Sequence, residues 1–269
     1  MTYAIIAGLI GLLAGFGAAQ IGDTPMTELP MRGQGAQMQQ RHEPLADDFV
    51  SARPLITSLP VEALSETERA SLIFMREEEK LARDVYTTLY ETWQLHIFSN
   101  IAQSEQTHTE AVRQLLVKYE IADPVTDDTV GVFTDDTLQA LYTELITTGN
   151  ASEVAALRVG ALIEDLDIAD LEKTLTETDN QDITTVYENL ARGSRNHLRS
   201  FVRQLTAAGE SYEPTHIDEA TYASIIAAEP ERGTGRGWGG GQGQSQGQGQ
   251  GRSGGTQGNG GRGGQNQGY

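Results

Sequence analysis

The sequence predicts an all-α fold: four long helices in two hairpins, joined by one long crossover that contains a short helix. Three observations predict it. Four segments of more than twenty residues carry apolar positions at alternating three- and four-residue spacing, the period of a helix with one buried face. Start and stop signals bracket those segments. Two of the three connections are a few residues long, and the middle one is roughly thirty residues long, counting its short helix.

Ser65-Glu66-Thr67-Glu68 reads as a capping box, and the first helix runs from there to about Trp93. The second runs from about Ile97 to Tyr119 and ends before Asp123-Pro124. The crossover follows, with a short helix near Asp135–Thr147 that Gly149 ends. A third long helix starts near Ser152 and reaches about Thr178. The fourth runs from Gln181 to about Ala208, with Gly209 as its stop signal. A short helix near Asp218–Ala228 closes the domain. Two hairpins joined by one crossover is the connectivity of ferritin-like four-helix bundles.

The flanks differ from this domain. Residues 4–19 are uncharged and apolar, and Gly17 and Ala19 suit a small-residue cleavage site before Gln20. The expectation is a signal peptide or N-terminal membrane anchor over residues 1–21, although Met1-Thr2-Tyr3 supplies no positive charge. Residues 22–60 read as a flexible linker, and residues 61–230 as the folded domain. Residues 231–269 read as a disordered Gly/Gln-rich tail, since 18 of the 30 glycines lie from Gly233 onward and that stretch holds no acidic residue. The organisation implies an exported or anchored protein of the cell envelope or extracellular space.

Charge narrows the function. With 38 acidic and 19 basic residues the formal net charge is −19. That argues against nucleic-acid binding, which needs a basic footprint, and against electrostatic docking on an anionic membrane. Membrane association would come from the N-terminal segment. The absence of cysteine excludes disulfides, thiolate catalysis, iron–sulfur clusters and a lipoprotein anchor. Any metal must be held by Glu, Asp and His.

Each long seam is interrupted by such residues. The second helix presents Phe98, Ile101, Glu105, His108, Val112, Leu115 and Tyr119 on one face, with Glu105 and His108 one turn apart. The third places Glu164 among Val154, Leu157, Ala161, Ile168, Leu171 and Leu175. The fourth places His197 among Ile183, Val186, Tyr187, Leu190, Ser194, Phe201 and Leu205. The first offers Glu77, Glu78 and Glu79. At about 100° per residue Glu78 lies nearest the centre of the apolar arc, and Glu79 fits the heptad spacing. An unpaired buried carboxylate costs several kcal/mol, so a set of them near mid-helix needs a shared purpose. Glu78, Glu105, His108, Glu164 and His197 would converge in a bundle and suit one or two divalent metals, iron or manganese above zinc. Glu79 and Asp167 are further candidates. The competing reading is a buried Glu/His/Arg network that fixes helix register. Arg76, Arg83, Arg113, Arg158, Arg192, Arg195 and Arg199 would supply its counter-charges. His96 and His216 read as surface histidines.

The stretches LIFMREEEKLARDVY, FSNIAQSEQTHTEAV, VGVFTDDTLQALY, GALIEDLDIADL and VYENLARGSRNHLRSFVRQL resemble the prokaryotic ferritin-like family catalogued as domain of unknown function 2202, over about residues 65–228. The resemblance implies a ferritin-like bundle and no settled activity. Ferritin and rubrerythrin-type di-iron sites carry Glu, Glu-x-x-His, Glu, Glu-x-x-His on their four helices. Here the fourth helix has Ser194-x-x-His197, so one glutamate is missing. The remaining set resembles the five-ligand pattern of manganese catalases. The sequence therefore leads to a ferritin-like metal-binding protein with two iron or manganese ions per chain and redox activity on peroxide or oxygen. If it is an enzyme, it would be a catalase- or peroxidase-like dimetal oxidoreductase. The alternative is a non-catalytic metal-binding or cell-envelope interaction module. Gly193 would leave room for a solvent ligand beside Ser194.

Overall fold

The structure is a computed structural model that describes residues 58–232. The expected signal peptide or anchor, nearly all of the linker and nearly all of the tail lie outside the described residues. Within them the fold is all-α. Six helices follow in order: α1 (Glu66–Trp93), α2 (His96–Lys118), α3 (Asp136–Gly149), α4 (Glu153–Glu177), α5 (Gln181–Ala207) and α6 (Glu219–Ala227). None of the described helices is long and apolar enough to cross a membrane.

Local signals account for the ends. The Ser65 hydroxyl accepts from the Glu68 amide, and the Glu68 carboxylate accepts from the Ser65 amide at 2.8 Å, which completes the capping box. Asp135, Ser152 and Asp218 cap α3, α4 and α6 through their side chains. Past α5, Ala208 caps the helix and Gly209 takes φ +81°, the left-handed turn that glycine adopts without strain.

Helices α1 and α2 pair along their length, as do α4 and α5; α1 also meets α4, and α2 meets α5. The crossover helix α3 packs on both α1 and α4. The loop before it is stitched to α1 by polar contacts. The Thr134 amide donates to Glu77 at 2.6 Å, and the Gly131 amide donates to Asp84 at 3.0 Å. The Lys80 ammonium, fully buried, donates to Asp84 and to the carbonyls of Thr129 and Val132. Arg83 reaches Asp128 at 2.8 Å. As a result α1 is enclosed around its whole circumference at mid-length, and Arg76 through Tyr86 are all buried.

The apolar core is split in two. One cluster contains Tyr86, Phe98, Phe201 and the inner faces of α3 and α6. The other contains Leu72, Met75, Val112, Leu115, Leu171 and Tyr187. A layer of buried carboxylates and imidazoles belongs to neither cluster.

Candidate metal centre

That layer is built one helix at a time. Helical periodicity puts Glu105 and His108 on the inner face of α2, one turn apart. α4 contributes Glu164, α5 contributes His197, and α1 contributes Glu79. Each is at most 3% exposed. Two triads result, Glu79–Glu105–His108 and Glu105–Glu164–His197, each with donor atoms within 4.8 Å of one another. Glu105 belongs to both. Its Oε2 lies 2.8 Å from Nδ1 of His108, and its Oε1 lies 2.8 Å from Nδ1 of His197. Glu79 Oε2 is 3.3 Å from the first imidazole and Glu164 Oε2 is 3.5 Å from the second. The two rings face each other with centroids 5.7 Å apart.

Several donor atoms in and around the triads have no hydrogen-bond partner: Glu79 Oε1, Glu105 Oε1, Asp167 Oδ1 and His197 Nδ1. Glu105 Oε1 and His197 Nδ1 are close but not aligned for a hydrogen bond. Unsatisfied buried polar atoms are rare in folded proteins and call for an explanation. The arginines do not provide one. Among the described residues Arg76 pairs with Asp123, Arg83 with Asp84 and Asp128, Arg113 with Glu110, and Arg158 with Glu210. Arg195 and Arg199 share Glu231, and Arg192 donates to Asn189. The centre's own cations are the two histidines. A donor set of carboxylates and imidazoles suits iron, manganese or zinc. Two divalent ions would balance Glu79, Glu105, Glu164 and Asp167 with both imidazoles neutral. The residues therefore fit a dimetal site.

Without metal, burial disfavours charge on every member, and the neighbours decide the outcome. For His197 the carboxylates of Glu105 and then Glu164 outweigh burial and push it up to about 10. Against the same burial, Glu105 and Glu79 hold His108 well above the ordinary imidazole range. Glu105 itself is held far below the usual carboxylate range, since the two imidazoliums overcome its burial. Burial raises Glu79 and Glu164, and together with Glu164 it pushes Asp167 up to about 8.

Surrounding groups fix the donors. The Tyr86 hydroxyl donates to Glu164 Oε1 at 2.5 Å. Ser104 lies 3.1 Å from His197 Nε2, leaving Nδ1 toward the carboxylates. The Ser194 hydroxyl donates to Asp167 Oδ2. Where the di-iron pattern has a glutamate on its fourth helix, Ser194 holds an aspartate that comes from α4. Gly193 opens no solvent position. A Cβ there would fall 2.5 Å from Cε1 of His108, so the ring fills the space that the missing side chain leaves.

Of the residues singled out in the sequence, Glu105, His108, Glu164 and His197 come together with Glu79. Glu78 does not join either triad. It faces Asp167 and Asp170, and burial followed by those two charges raises it well above the usual range. The helical wheel favoured Glu78 because the apolar arc of α1 includes residues that face α3 as well as the bundle interior. His96 is exposed as expected, whereas His216 is half-buried and burial lowers it. Asp170 was not singled out, although Glu164, Asp167 and Asp170 form a readable i, i+3, i+6 series. Tyr86 and Ser104 carry no comparable signal, because only the packing brings them to the donors.

A family model described as an uncharacterized protein domain (DUF2202) matches residues 68–229. The uncharacterized protein MJ0754 of Methanocaldococcus jannaschii is 58% identical over 178 residues, which is 66% of this chain and 96% of that protein. The crystal structure of the hypothetical protein MJ0754 from Methanococcus jannaschii DSM 2661 aligns with a TM-score of 0.64 at 57% identity, over 65% of this chain and 99% of that one. None of these descriptions names an activity.

Proposed function

The chain belongs to the family of the uncharacterized protein domain DUF2202, and we propose that it is a ferritin-like dimetal protein holding two iron or manganese ions between its four long helices. The observation that carries this reading is the position of Glu105, whose two oxygens each face a different imidazole and a different second carboxylate. Glu105 would contribute to both ion positions. His108 and Glu79 would complete one position, and His197 and Glu164 the other.

Such a pair of ions would supply Lewis acidity and electrons for reaction with peroxide or oxygen. The chain's own residues prepare the site. Tyr86 orients Glu164, Ser104 orients His197, and Gly193 lets the His108 ring approach. The apolar clusters above and below exclude bulk water, which strengthens every charge interaction within the layer. In the N-terminal segment we place the export or anchoring signal.

A second reading is a non-catalytic module whose His–Glu contacts fix helix register. The 2.8 Å hydrogen bond between Glu105 and His108 favours it. Elemental analysis after loading with Fe(II) or Mn(II) separates the two, beside a Glu105→Ala/His108→Ala double variant. The dimetal reading expects near two ions per chain, lost in the variant, and peroxide turnover well above that of free metal. No bound metal, with a variant that is merely less stable, would leave the register network.

A further inference from the structure

Three buried aspartates outside the centre are fully satisfied. Asp84 receives Lys80, Arg83 and the Gly131 amide. Asp165 receives Tyr212, Thr215 and the amides of His216 and Ile217. Asp182 receives Tyr119 and Lys118. This chain therefore provides for buried carboxylates where structure alone is at stake.

Glu78, Asp167 and Asp170 are treated differently. They are 4%, 7% and 5% exposed. No N–H or O–H of another residue donates to either oxygen of Glu78 or to the Oδ1 atoms of the two aspartates, and the Glu78 and Asp170 carboxyls lie within hydrogen-bond reach of each other. Glu78 and Asp167, with Glu79, line a cavity of about 10 Å³ that α3 closes through Leu141 and Leu145. That is room for about one water molecule or one small ion. On α4, Glu164, Asp167 and Asp170 succeed one another at three-residue steps, about 4.5 Å apart along the helix. The series starts at a candidate ligand and ends one turn before Lys173, which is half-buried and acts on Asp170. Across from it, Glu78 and Glu79 are consecutive on α1.

We propose that Asp170, Glu78 and Asp167 form an inlet through which divalent transition-metal cations reach the paired triads. This inlet rests on the metal-binding reading above and adds a route to it. Carboxyl oxygens that receive no N–H or O–H from another residue offer a cation successive replacements for its water ligands. Their donor atoms do not close into a third triad: among the described residues the groups that converge within 4.8 Å are the two triads sharing Glu105. A position that attracts a cation without enclosing it serves passage rather than residence.

The test uses the full chain and Mn(II) alone. Loading is followed by loss of the free-ion electron paramagnetic resonance signal, and the final content is determined by elemental analysis. Glu78→Gln and Asp170→Asn are expected to reach the wild-type content but to load about tenfold or more slowly, the lower end of what a charged cleft adds to an on-rate. Glu172→Gln, which removes an exposed charge from the same helix, should load at the wild-type rate. The metal-free Glu78→Gln protein should melt no lower than wild type, because an amide of the same shape replaces a carboxyl to which no N–H or O–H of another residue donates. The inlet is overturned if the Glu78 and Asp170 variants load as fast as wild type. It is equally overturned if Glu78→Gln lowers the final content, which would make Glu78 a resident ligand, or if that variant melts lower, which would make it structural. A wild-type chain that takes up no Mn(II) or Fe(II) would instead refute the dimetal reading and the inlet with it.

Discussion

Glycine at position 193 sets two effects against each other. In a helix interior, Gly→Ala gains about 1 kcal/mol of propensity. Here the added Cβ would lie 2.5 Å from one ring atom of His108 and 2.7 Å from another, and overpacking of that kind costs about 1–3 kcal/mol. Gly193→Ala should therefore change the melting temperature little while displacing His108. Metal content is expected to fall from two ions toward one, read by elemental analysis; an unchanged content would show that the ring can move without loss of its role. Tyr86 poses a simpler question. Its ring packs on Phe201 at 5.4 Å, a contact that phenylalanine keeps. Its hydroxyl is the donor to Glu164 Oε1. Tyr86→Phe leaves that oxygen buried without a donor and should destabilise the metal-free protein by about 1–3 kcal/mol in urea denaturation.

At the scale of elements, the ends of the domain offer the clearest measurements. Ser65→Ala removes one half of the α1 capping box, and urea denaturation should register a loss of about 1 kcal/mol. At the other end, Glu231 clamps the segment after α6 onto α5 through Arg195 and Arg199. Their hydrogen bonds, stronger here than the opposing effect of burial, hold its carboxyl down at about 2. A depressed carboxylate contributes stability above its unfolded value of about 4.3, and that contribution fades as pH falls toward 2. Glu231→Gln should therefore flatten the acid limb of the stability curve between those two values. Identical acid limbs for both proteins would mean that the clamp contributes nothing to folding.

For the whole molecule the central question is linkage. Ions held by residues from α1, α2, α4 and α5 would bind the folded chain and not the unfolded one. At a free-ion concentration one hundredfold above Kd, one site raises stability by about 2.7 kcal/mol. The melting temperature should therefore rise with Mn(II) or Fe(II) and return with chelator, whereas a register network would ignore both. Protons must move as well. His197 is pushed up to about 10, so on neutral, metal-free protein both of its ring nitrogens carry a proton, and His108 is raised in the same direction. Ligation through Nδ1 requires that proton to leave. Metal uptake at pH 7 should then acidify a weakly buffered solution, and apparent affinity should fall as pH is lowered. Uptake without proton release would show that the imidazoles are not ligands.

The helices were legible in the sequence because their determinants are local. Capping residues, the three- and four-residue spacing of apolar positions and the glycine after α5 act over one or two turns. The seams of α2 and α5 are buried at every position the spacing indicated, from Phe98 to Tyr119 and from Ile183 to Leu205. The interruptions by Glu105, His108, Glu164 and His197 were legible for the same reason: a charged residue in an apolar stripe stands out without knowledge of its partners. Which glutamate of α1 faces the triads was not legible. A helical wheel assumes one buried face, and α1 has none to spare, because the crossover loop and α3 cover the side that would otherwise meet solvent. The pairing of Ser194 with Asp167, the Tyr86 hydroxyl on Glu164 and the seating of His108 against Gly193 likewise join residues from different helices. Their distances depend on how four helices rotate and slide against one another, and no local stretch of chain encodes that rotation.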